Sequence, residues 1–258
     1  MISRLTAITL NTFREAVRDR VLYNLIVFVL ILLASAPLFS QISIDIERLM
    51  LINLGLSAIS IFGVIIAIFI GIGLVAKEIE KKTLYTILAR PVRRWEFVVG
   101  KYLGLVLTLV TNAAFMTIGF FGALLLYTRP LPRSDAGLLV AIYFILLEFL
   151  IITALTLLFS SFSSPIFSAL FAFALFVIGT FSEDLKNFAS MSHGISKFGA
   201  SAASWVIPNF ASLNVISQVA HKQPVGGSLV LFNTAYALLY SATVTLGAVL
   251  IFERRNLK

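Results

Sequence analysis

Glu148 is the residue whose placement most invites chemistry. It is the only ionisable acid inside the long apolar runs and lies near the middle of the run 137–159. A carboxyl in hydrocarbon must be protonated, hydrogen-bonded or paired. Asn112, flanked by Thr108 and Thr111, falls near the middle of the run 97–127 and is the obvious partner. One reading makes Glu148 the proton site of an ion-coupled carrier or channel; the other makes it a packing bond between neighbouring helices. An intramembrane hydrolase or transferase would need a His–acid pair, paired carboxylates or a metal set. His193 and His221 have no acidic cluster beside them, so the sequence supports neither catalysis nor a metal site.

The second concentration of chemistry is the stretch Lys77–Lys101, which carries six Lys or Arg residues before Lys101 and three Glu between two apolar runs. Such a segment cannot lie in hydrocarbon. Glu78 to Ala89 has helical spacing with Leu84, Ile87 and Leu88 on one face, beside Lys81, Lys82 and Thr83. Arg90 precedes Pro91, and a residue before proline is pushed out of the helical region, so a helix should stop there. Arg93, Arg94 and Trp95 then open the next helix, with Glu96 in its first turn, where a negative charge suits the dipole. A basic loop that only fixes topology would show much the same spacing.

The elements that must carry these residues are membrane helices. Hydrophobic residues make up 59% of 258 and charged residues 12%, against roughly a quarter charged in a soluble domain. The sequence predicts an all-α membrane protein, one domain over 1–258, with six spans at about 21–40, 52–76, 97–127, 137–159, 166–181 and 229–252. Residues 1–20 form an amphipathic entry helix at the interface, with Phe13 on its apolar side and Arg14 and Arg18 on its wet side. Residues 182–228 are too broken for a span and too apolar for a loose loop. Short outer helices fit there, one through Leu185, Phe188, Ile195 and Phe198 and one through Phe210, Leu213 and Ile216. Gly63, Ala67 and Gly71, and likewise Ala237, Ser241 and Thr245, recur every four residues and allow close helix approach, within one subunit or across a dimer seam.

The net charge of +8 reflects basic residues beside span ends, the pattern of topology signals and not of nucleic-acid binding. Fourteen of the 20 Lys and Arg flank one side of the predicted spans. The positive-inside bias makes that side cytoplasmic, with both termini and the 77–96 stretch inside.

The run from Glu78 through Glu80-Lys81-Lys82-Thr83-Leu84, Leu88-Ala89-Arg90-Pro91-Val92-Arg93-Arg94-Trp95 and Gly100-Lys101 resembles the signature of type-2 ATP-binding-cassette permeases. The likeness extends to Asn11–Ala16, Leu158–Ser161 and Ile207-Pro208-Asn209; where the family commonly has glycine, this chain has Lys82. The resemblance implies a non-catalytic permease subunit, mostly associated with export, in a prokaryotic cytoplasmic (inner) membrane. It implies a dimer with a second copy or a similar permease, and two cytoplasmic ATPase subunits docked on the 77–96 coupling helix and the entry helix. ATP and Mg would then be bound by the ATPase subunit, with no cofactor on this chain, and there is room for a periplasmic partner. In keeping with this, no Gly-x-x-x-x-Gly-Lys-Ser/Thr phosphate loop occurs. The transported substrate is not readable from these residues.

Overall fold

The computed structural model describes residues 2–18, 27–28, 31, 44–80, 93–127, 136–191 and 206–254. Long charge-poor runs become helices because, in hydrocarbon, each backbone N–H and C=O must find its partner within the segment. The described elements are α1 (Ile2–Arg18), α2 (Ile44–Glu80), α3 (Arg94–Tyr127), α4 (Ala136–Phe162), α5 (Pro165–Thr180), α6 (Ser182–Met191), a 3₁₀ turn at Ala211–Leu213, α7 (Ile216–Ala220) and α8 (Gly227–Arg254). No strand occurs among the described residues. The all-helical membrane fold expected from composition is what forms.

Among the described residues, four stretches are long and apolar enough to cross a membrane: Arg48–Gly73, Arg94–Leu126, Gly137–Phe162 and Gly227–Arg254. They match the second, third, fourth and sixth expected spans. Most of the first expected span lies outside the described residues. Within it, Phe28 is helical and buried, with its ring edge-on to Phe62 at 6.3 Å. The expected fifth span is α5, whose 16 residues rise only about 24 Å at 1.5 Å per residue, short of a roughly 30 Å hydrocarbon core. Later chain packs on its far end, where Phe210 N donates to Gly179 O at 3.1 Å.

α4 is the hub of the bundle, packed against α2, α3, α5 and α8. Its buried face includes Phe144, Phe149, Ile151 and Ile152. The small-residue stripe of α2 lies against it: a Cβ at Gly63 would run into the Phe149 ring, and Ala67 is buried. The stripe on α8 (Ala237, Ser241, Thr245) is buried too, so both stripes pack within this chain. Thr108, Thr153 and Thr156 return their hydroxyls to carbonyls four residues back, which satisfies each buried hydroxyl inside its own helix.

One end of the bundle, the near face, gathers α1, the start of α3 and the end of α8. The opposite, far face carries residues 182–191 and 206–226. There the expected second helix through Phe210, Leu213 and Ile216 does not form as one piece. A 3₁₀ turn ends at Leu213, Asn214 leaves helical geometry at ψ 89°, and α7 starts afresh. Asn209 caps the start of the 3₁₀ turn, and Asn214 sits at the break, where its side chain takes a backbone N–H two residues on. Asn209 Oδ1 accepts from Ser212 N at 3.1 Å, and Asn214 Oδ1 from Ile216 N at 3.3 Å. The expected first outer helix is α6, which ends at Met191; Ile195 and Phe198 lie outside the described residues.

Candidate functional site

The near-face site is built on the first turns of α3. Arg93 caps the helix and Glu96, three residues on, accepts from the Arg93 backbone N–H at 3.0 Å. This is one half of a capping box, and it is why the helix starts at this point. Arg94 extends its Nη1 to the other side of the bundle, to Phe252 O at 3.3 Å and Glu253 O at 2.8 Å. Those carbonyls end α8 and have no partner within the helix, so a cation suits them. Phe97 stacks on Phe252 at 5.7 Å, and Trp95 packs on the same buried group, with Val98, Ala248 and Val249. Trp95, expected at the membrane interface, is therefore half-buried within the chain.

The other side of α3 receives α1. Gly100 and Gly104 lie four apart, and α1 sits directly on them. A Cβ at Gly100 would meet the side chain of Ile8; one at Gly104 would meet the Thr12 side chain and the Thr9 carbonyl. Thr12 and Ala16 are buried on this seam, and Ala16 joins Leu105 and Leu157. Beside it, Lys101 Nζ meets Glu15 Oε2 at 3.6 Å, the lysine side chain 2% and the glutamate 37% exposed. The ammonium also lies 5.7 Å from the centre of the Phe97 ring. The start of α3 is thus bonded to α1 on one flank and to α8 on the other.

Of the residues expected to dock a partner, Lys81, Lys82, Thr83, Leu84, Ile87, Leu88, Arg90 and Pro91 lie outside the described residues. Glu78 falls in the last turn of α2, which runs on to Glu80, so the helix expected to begin at Glu78 is already under way there. Arg93 is exposed, Phe13 is half-buried and Arg14 is exposed; Arg18 is the last residue of α1. Sequence reasoning missed the seam. Its signal was present as Gly100-x-x-x-Gly104 opposite Ile8-x-x-x-Thr12-x-x-x-Ala16, a small-residue pattern of the kind that was noticed in α2 and α8.

The intramembrane pair is corrected. Glu148 Oε2 accepts from Ser60 Oγ on α2 at 2.9 Å, whereas the nearest bond of Asn112 runs to Met116 Sδ on its own helix at 3.7 Å. Gly63 draws α2 onto α4 at Phe149, and that brings Ser60, one turn away, to face the carboxyl. A cavity of about 240 Å³ opens beside it, lined by α2, α4, α5 and the far-face segment.

These features define a multi-pass helical membrane protein with a charged, tightly joined face at one end. The family model described as ABC-2 family transporter protein matches residues 6–256. The chain belongs to that family: it is the type-2 permease, the transmembrane subunit of an ABC transporter. Comparison with curated proteins finds no match.

Proposed function

We propose that this permease works as an exporter, as a dimer with a second copy or a similar permease, and with two cytoplasmic ATPase subunits docked on residues 78–95 and α1. The near face is then the cytoplasmic face of an inner membrane. The observation that supports this reading most is the double anchorage of α3, by Glu15–Lys101 to α1 and by Arg94 to the end of α8. The charged stretch leads straight into the N-terminus of α3, so a push on it meets helices already bonded together. Rigid-body rocking of packed helices is an established way to convert such a push into opening and closing. The ATPase subunit would supply ATP and Mg; this chain would supply the levers.

The test is co-purification with a co-expressed ATP-binding-cassette ATPase subunit. Leu84→Asp and Ile87→Asp place charge on the expected docking face and should abolish association while the permease still inserts. Normal association of both variants would remove the docking assignment.

A further inference from the structure

Glu148 serves no purpose in the near-face joint. It opens instead into the 240 Å³ cavity, and the chemistry of that cavity is specific. Ser57 and Ser60 on α2 stand beside the carboxyl, Phe176 on α5 and Phe210 of the far-face segment form the aromatic wall, and Asn214 stands toward the exposed side. The two rings are 5.5 Å apart and inclined at 55°. Ser60 is the only described hydrogen-bond donor to Glu148, through Oε2.

Elimination narrows the ligand. Among the described residues the lining contains no Lys, Arg or His, so an anion would face a carboxyl with no described cation to offset it. A hard metal ion wants six or more oxygens in a shell, and no group of three metal-ligating side chains occurs among the described residues. A wholly apolar molecule would leave the buried carboxyl with the single Ser60 hydrogen bond and nothing to meet its charge. A carboxyl beside paired aromatic faces suits an alkylated ammonium, whose charge the carboxylate takes and whose methyl groups lie on the rings. Cavities for whole drug-sized ligands run from about 300 to 1,000 Å³, so this one takes a head group or a small amine.

Building on the permease reading, we propose that this cavity is a substrate subsite for an organic ammonium group, with Glu148 as its anion, Ser60 as the residue that positions that carboxyl, and Phe176 and Phe210 as its aromatic walls. The ammonium can belong to a free amine or to a zwitterionic lipid head group, and both present the same chemistry to the cavity.

The full-length permease in phosphatidylglycerol nanodiscs contains no competing ammonium lipid. Saturable binding would be measured for choline, for dihexanoyl-phosphatidylcholine and for 3,3-dimethylbutan-1-ol, the uncharged carbon analogue of choline. The inference expects choline or the phosphocholine lipid to bind at least about tenfold more tightly than the neutral analogue. Binding of choline identifies a free amine, and binding of the lipid alone identifies a head group. Glu148→Gln should weaken it about tenfold and Phe176→Leu several-fold; Ser60→Ala should weaken it less, with the ammonium-over-neutral preference reduced but kept. Equal binding of the neutral analogue, undiminished binding by a folded Glu148→Gln protein, or no saturable binding below ~10 mM overturns it. If Glu148→Gln fails to fold, the comparison with the neutral analogue still decides. Should ammonium binding fail while the ATPase still co-purifies, only this inference falls.

Discussion

At the near face, α3 is joined to its neighbours by charge: Lys101 to Glu15 of α1, and Arg94 to the last carbonyls of α8. At the far face the joints are neutral and converge on Asn209. Its side-chain oxygen accepts from Ser182 Oγ at 2.6 Å and Ser212 N at 3.1 Å, and its N–H donates to the Tyr236 hydroxyl at 2.8 Å. Ser212 and Asn233 then bond reciprocally, at 3.1 and 3.2 Å, and Tyr240 donates to Val206 O at 2.8 Å. The two chemistries respond differently to force. A guanidinium over two carbonyls and an ammonium beside a carboxylate keep much of their attraction through small shifts, because charge acts over distance. A hub of short neutral bonds loses each bond once its geometry is lost. The near-face joints thus tolerate small shifts while the far-face hub holds one geometry, a contrast that suits the force input proposed for the near face.

The comparison breaks most visibly at the near face. Glu15→Ala removes a carboxylate from beside the buried Lys101 and should destabilise the bundle by about 1–3 kcal/mol. Lys101→Met should cost much less, since Glu15 is 37% exposed and can turn to water. Steric-trap or denaturant unfolding in bicelles would measure both, and equal losses would argue against the burial asymmetry. The far face ranks next. Asn209→Ala leaves the Ser182 hydroxyl and the Ser212 N–H without their side-chain acceptor and should cost about 2 kcal/mol, with ATPase association unchanged.

Smaller effects sharpen the same contrast. Gly104→Val drives a side chain into Thr12 and the Thr9 carbonyl, so α1 must shift; about 1–2 kcal/mol of packing should be lost. Cross-linking between cysteines at α1 and α3 positions would report the displacement. Arg94→Ala should cost about 1 kcal/mol and fray the end of α8, seen as faster amide exchange from Val249 to Arg254. A matching change at the far face would contradict the separation of the two ends.

Much of this was legible in the sequence, for reasons of composition. Long apolar runs force helices, so four of the spans and α1 were placed within a few residues. Glu96 was recognised as a first-turn residue because its role is local. What escaped was non-local. Ser60 as the partner of Glu148 depends on which helix lies beside α4, and Gly63 under Phe149 decides that from a different position. The Glu15–Lys101 pair joins residues far apart in the chain, one on the polar face of the entry helix and one at the end of the charged stretch, and neither position points to the other. The split of the expected Phe210–Ile216 helix falls at Asn214, whose side chain takes the Ile216 N–H and carries no periodic signal.

The most direct test of a near-face lever is a double-mutant cycle on ATP hydrolysis by the reconstituted permease–ATPase complex, with Glu15→Gln, Lys101→Met and both together. The account predicts that each single change lowers the permease-dependent ATPase rate and that the double variant falls well short of the summed losses, with a coupling energy of about 1–2 kcal/mol. Strictly additive effects, or full activity in all three variants, would contradict it.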